Sequence, residues 1–418
     1  GFQEVGEGGS ASGTTINNSG IQSISSGGSA TATTINSGGW QEISSGGSAT
    51  ETAINGGIQW IYDGGSASDS TINSGYQVIS SGGSVTSTTI YRGGEQSITN
   101  AGLATGTIIR GGEQRVSSGG SAVDTTIEGG LQTILNGGNV SGTLISGGEQ
   151  RVSSGGSAVD TTIEEGLQTV LNGGNVSGTH ISGGEQRVSS GGSAVDTTIE
   201  EGLQTVLNGG NVSGTHISGG EQNISSGGSA VDTTIEEGLQ TVLNGGNVSG
   251  THISGGEQYI SDGGSATNTV IDGGTQYISS GGNAIETTIE NGFQEVSNGG
   301  NATGTTINGG FQNISSGGSA TSTIINAGFQ EVSSGGSATS TTINAGVQAL
   351  YDSSIASGTV INNGFQLISS GGSAINTTIK GGFQEVSDGG RAIETTITSG
   401  WQDVLSGGVA TETLIVGG

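Results

Sequence analysis

Three histidines, His180, His216 and His252, are the side chains best suited to bind a metal or move a proton. They recur every 36 residues. Layers stacked about 4.8 Å apart would separate them by two steps, roughly 10 Å, too far to share one ion. We therefore read them as solvated surface histidines. Serine is abundant, but histidine occurs in only three units, so no Ser–His–Asp arrangement stands out. The glycine-rich turns lack the Gly-Lys-Ser/Thr of a phosphate loop. The Gly-Gly-x-Gly-x-Asp calcium nonapeptide is also missing. Asp124, Thr126 and Glu128 alternate on one outer face, and Asp160, Asp196 and Asp232 repeat the pattern. Such carboxylates could bridge a divalent cation, or simply form a solvated acidic face. The expectation is no catalytic residue, no metal site and no cofactor.

Composition narrows the class further. The 418 residues include 89 glycines and no Pro, Cys or Met, and only 29% are hydrophobic. So little large apolar material cannot build one compact core, but a repeat can bury a narrow core layer by layer. A net charge of −28 with seven basic residues leaves no footprint for nucleic acid and would be repelled by an anionic membrane. Without cysteine there is no disulfide scaffold and no thiol chemistry. No apolar run is long enough to span a bilayer, and neither a signal peptide nor an initiator Met is present. The chain reads as a segment of a longer precursor.

The elements that position these side chains come from a strict repeat. Glutamine recurs from Gln3 to Gln402 at spacings of 19 three times and 18 otherwise, giving 23 units. Counting Gln as position 1, position 3 is always aliphatic, the small residue, usually at position 9, is always Ala or Val, and Thr and Ile stand at 12 and 14. Gly-Gly pairs separate the first two segments. Alternate residues of a strand share a face, so these constant rows point inward. The variable positions 2, 10, 11, 13 and 15 point outward. Glycine at the corners is expected to supply the positive φ that sharp bends need.

The fold expected is all-β: a right-handed parallel β-helix of about 23 coils of 18–19 residues, with three short strands per coil. The uneven spacing of the inward positions favours the right-handed form over the left-handed one, which uses three equal hexapeptides. Inward Gln and Thr rows should form hydrogen-bonded ladders. One repeat domain is expected over 1–418, with four near-identical 36-residue double repeats at 111–254.

Three outward features are candidate sites. The row before each Gln holds all six Phe, including Phe293, Phe311, Phe329, Phe365 and Phe383, and ends at Trp401. Six units place Glu there, among them Glu95, Glu113, Glu149 and Glu185, so the position is expected to be partly exposed. The aromatics then form either a contact stripe or covers over their own glycine corners. Thr306 with Asn308, and Thr342 with Asn344, belong to a polar stripe beside the third strand, either adhesive or merely solvated. Ser-Ser-Gly-Gly turns place Ser25, Ser26, Ser44, Ser45, Ser117, Ser118, Ser153, Ser154, Ser189, Ser190, Ser369 and Ser370 at corners. There they serve turn chemistry or accept sugar.

Residues 256–271 read Gly-Glu-Gln-Tyr-Ile-Ser-Asp-Gly-Gly-Ser-Ala-Thr-Asn-Thr-Val-Ile, and Gly-Gly-Ser-Ala-Thr-x-Thr-x-Ile recurs at 27–35 and 335–343. With Asn-x-Gly-x-Gln between units, these motifs resemble the passenger repeats of AIDA-type self-associating autotransporter adhesins of Gram-negative bacteria, over the whole chain. The resemblance implies a β-helical passenger on the bacterial surface, exported through the periplasm and outer membrane by a C-terminal barrel outside these 418 residues. It implies aggregation, biofilm formation and adherence to host cells, through self-association with passengers on neighbouring cells. It also implies O-linked heptose on serines, added by a heptosyltransferase. The competing expectations are ice binding and a purely structural spacer. Ice binding needs two matched outward Thr per turn, whereas one Thr of each pair points inward. A β-helical enzyme would carry long irregular loops, and no long insertion interrupts this repeat.

Overall fold

The computed structural model describes residues 1–417. Among them every regular element is a β-strand, and all strand pairing is parallel. The residues group into two compact units, Gly1–Thr205 with Gly209–Val212, and Val206–Asn208 with Ser213–Gly418. About 23 coils build this β-solenoid, three strands to a coil.

In the first unit, one coil runs through Glu149–Val152, Ser157–Val159 and Thr162–Ile163. Each strand pairs with its equivalent in the next coil: Gln150 faces Gln168, Ala158 faces Val176 and Ile163 faces Ile181. In the second unit, Phe293–Val296, Asn301–Thr303 and Thr306–Ile307 form a coil of the same plan. There Phe293 faces Phe311 and Gln294 faces Gln312. Like stacks on like because a one-residue slip would turn every inward side chain outward.

The expected inward rows are the core. Val152, Ala158 and Ile163 are buried, and so are Gln150 and Thr161. The glutamine ladder forms as expected: Gln168 Nε2 donates to Gln150 Oε1 at 2.6 Å. The threonines do something else. Thr161 Oγ1 donates across its own coil to Gln150 Oε1 at 3.3 Å, rather than to the threonine of the next coil. The second unit repeats both bonds, with Gln312 Nε2 at 2.6 Å and Thr305 Oγ1 at 3.1 Å from Gln294 Oε1. One acceptor with two lone pairs thus satisfies two buried donors.

The corners depart from expectation. Positive φ is not glycine's alone: Ser154 (φ 50°) and Asp160 (φ 54°) hold left-handed conformations at two successive corners. Asn and Asp tolerate that region better than most residues, and Asn172 and Asp262 stand where Ser154 stands. The two glycines of each pair have different reasons. Gly155 has φ 75° and open space around it. Gly156 is buried, and a Cβ there would stand 2.5 Å from the carbonyl oxygen of Ile134 in the coil before.

Candidate functional site

The twelve serines of the Ser-Ser-Gly-Gly turns fall into two environments. Ser25, Ser44, Ser117, Ser153, Ser189 and Ser369 are half-buried at the end of the first strand. Ser26, Ser45, Ser118, Ser154, Ser190 and Ser370 are exposed, with φ between 48° and 51°. The left-handed residue turns its peptide, so Ser154 N–H donates forward to Asn172 in the next coil, whereas Ser153 N–H donates back to Ile134. None of the twelve hydroxyls bonds to a protein group among the described residues.

The row before Gln lies on the outer face of the first strand. In the second unit its rings form a seam of two groups. Phe293 and Phe311 stack at 5.3 Å with planes 11° apart, and Phe311 meets Phe329 at 6.0 Å. Phe365 meets Phe383 edge-on at 6.0 Å, and Phe383 meets Trp401 at 5.6 Å. Val347, in register between Phe329 and Phe365, completes the row. The rings cover one another yet stay open to solvent: Phe311 is 43% exposed and Trp401 59%. Only Phe293 and Phe311 stack face to face, and the other pairs meet tilted or edge-on.

Where the row holds Glu, the pattern is ionic. Arg151, two residues on and so on the same strand face, donates to Glu149 at 2.9 and 3.0 Å, and Thr169 from the next coil donates at 3.1 Å. Arg187, Glu185 and Thr205 repeat the arrangement. The sequence signal was Glu-Gln-Arg, with the charges at i and i+2 of a strand. Exposed pairs of this kind contribute little to stability. Glu95 lacks such an arginine on its own strand and stands in register below Glu113. Burial and then repulsion by Glu113 push its carboxyl above the usual range, and Arg115 only partly opposes this.

The polar stripe beside the third strand is a ladder of asparagines. Asn308 donates to Glu290 at 2.9 Å, and Asn326, Asn344 and Asn362 each donate to the preceding asparagine at 2.8 Å. Each amide spends one N–H and one lone pair along the row and keeps one of each for solvent or a partner. Thr306 and Thr342 are half-exposed and separated in register by Ile324.

His180 lies 3.5 Å from Glu200, and His216 lies 3.6 Å from Glu236, all on the surface. Asp124 occupies a left-handed corner, off the strand that carries Thr126. No group of three or more His, Cys, Asp or Glu side chains among the described residues is arranged to hold a metal ion.

No family model and no curated protein matches the chain. Among solved structures, the hyper-glycosylated TibA55-350 fragment, its glycosylation catalysed by TibC, is 44% identical, with a TM-score of 0.53. The match covers 63% of this chain and 95% of that one. The chain belongs to the AIDA-type autotransporter adhesin passengers. Each coil of this passenger combines a Gln–Thr core, corners held mostly by Ser, Asn or Asp, and outer rows that vary from coil to coil. The outer rows differ between the units of this passenger. Glu–Arg pairs such as Glu149–Arg151 lie in the first, and the phenylalanine seam lies in the second.

Proposed function

We propose that the passenger is displayed on the bacterial surface and works by contact, without catalysis. Copies on neighbouring cells, and the host cell surface, are its partners. The contacts are the outer rows: the seam from Phe293 to Trp401 and the amides of Asn308 to Asn362. The observation that carries this reading is the likeness to an adhesin fragment that is itself hyper-glycosylated, in a chain whose corner serines present unengaged hydroxyls. A heptosyltransferase would modify those serines before export through the outer membrane. Individual rung contacts would contribute about 1 kcal/mol each. Many in register act through avidity, which suits aggregation, biofilm formation and adherence.

The test is to mix cells that display the chain with cells that do not, and to follow settling and surface attachment. Unchanged settling and attachment would sink the contact reading. The sugar arm is separate: an intact mass of 40.6 kDa after co-expression with a serine heptosyltransferase would remove it. A second reading, a passive spacer, is favoured by the asparagine row, whose amides already bond along the row. It predicts normal settling when the seam is erased.

A further inference from the structure

The first unit carries a different aromatic group, one that leaves a cavity. Trp40 and Trp60 meet edge to face, with centroids 5.5 Å apart and planes at 87°. Trp60 does not belong to the row before Gln. It follows Gln59, in register above Glu42. Tyr62 continues the same outer face two residues on. Together with Ser80 and Ser81 from the next coil, Glu42, Trp60 and Tyr62 line an open cleft of about 240 Å³ whose walls are mostly apolar. Trp60 is 40% exposed, and Trp40 pins it from the side. Glu42 makes no hydrogen bond or ion pair among the described residues.

These groups favour one kind of ligand. Aromatic faces carry negative potential and attract a cation seated against them. An unpaired carboxylate at the same cleft adds full charge in surroundings of reduced dielectric. The net charge of −28 would repel an anion. A neutral ring could use the aromatic walls and donate a hydrogen bond to Glu42, but it would gain none of the charge attraction. Among cations, one with several N–H donors would find acceptors only at Glu42 and the hydroxyls of Tyr62, Ser80 and Ser81, and would have to give up water to meet the apolar area that makes up most of the wall. A cation wrapped in methyl groups has no N–H donors to satisfy.

We propose that the Glu42–Trp60–Tyr62 cleft binds a quaternary ammonium group of the choline type. It goes beyond the contact reading and does not depend on the seam or on glycosylation.

The test uses the full chain with ¹⁵N-labelled tryptophan. Its three indole N–H signals, from Trp40, Trp60 and Trp401, are followed during titration. Tetramethylammonium and choline chlorides are the probes, and methylguanidinium and glucose are the controls, all at constant ionic strength. The expected result is a saturable shift of Trp60 and Trp40 with both probes, Trp401 staying in place. Glu42→Gln, an outer-face change that leaves the core rows intact, should weaken binding about tenfold. Trp60→Ala should abolish the Trp40 shift. Shifts that rise linearly without saturating, an equal response of Trp401, or unchanged affinity in Glu42→Gln would each overturn the proposal. So would tighter binding of methylguanidinium or glucose.

Discussion

Gln168 donates to Gln150 Oε1 at 2.6 Å, and that oxygen also receives the Thr161 hydroxyl. Two buried donors thus depend on one acceptor. Gln150→Leu should orphan both and cost about 2–6 kcal/mol locally, since each unmet buried donor costs about 1–3 kcal/mol. In a repeat protein the damage stays near its source. Hydrogen exchange should therefore accelerate in the coils around residues 149–185 and much less in the second unit. Uniform acceleration would contradict a local brace.

The paired glycines separate two physical effects. Gly155→Ala meets open space and should cost about 1–2 kcal/mol, for placing a Cβ in the left-handed region. Gly156→Ala drives a Cβ to 2.5 Å from the Ile134 carbonyl oxygen. The backbone must shift, and the loss should be clearly larger. Urea unfolding of the two variants gives the order.

Ser354 occupies the position that Gly156 fills in its own coil, and its buried hydroxyl has no partner. Ser354→Gly should raise stability by about 1–3 kcal/mol, the cost of an unmet buried polar group, less the flexibility glycine adds to the unfolded chain. A fall in thermal midpoint would mean that the hydroxyl is satisfied in solution.

Glu95 gives a pH signature. Its folded pKa is raised by burial and by Glu113. Above the ordinary carboxylate range the unfolded chain has lost the proton that the folded chain still holds. Stability from this group is therefore complete below its unfolded pKa and falls as pH rises through the folded one. Glu95→Gln should stabilise the protein at neutral pH, and the advantage should vanish in acid. Denaturant midpoints at pH 4 and pH 7 test the sign.

The seam makes an association prediction. Each half-exposed Phe would gain about 1 kcal/mol on full burial. Replacing Phe293, Phe311 and Phe365 together by Ser should weaken self-association about a hundredfold if the seam is the contact. Sedimentation velocity measures it, and unchanged association would leave the spacer reading in place.

Most of the fold was legible because burial repeats every 18 residues. Gln150, Val152, Ala158, Thr161 and Ile163 could be assigned inward from alternation alone, and all five are buried. The candidate rows were legible only as rows. Alternation puts Phe293 on an outer face, but whether its ring stacks on Phe311 or folds over a corner depends on rotamers and neighbours. Asn308 and Asn344 could be placed outward, yet their chaining through Asn326 needed the coil-to-coil register. The cleft at Trp60 was missed because Trp60 and Glu42 belong to different coils and to a row that otherwise varies freely.

The sequence by itself determined the coil: period 2 within strands and period 18 between coils leave one set of residues that can face inward. Only the tertiary structure decided how polar groups share partners. Thr161 bonds to glutamine rather than to threonine, Ser154 bears the left-handed bend, and Glu149 finds Arg151. The reason is physical. Burial follows from which face a side chain occupies, and periodicity reports that. Hydrogen bonds and ring contacts depend on distances of a few tenths of an ångström between coils, which no one-dimensional pattern encodes.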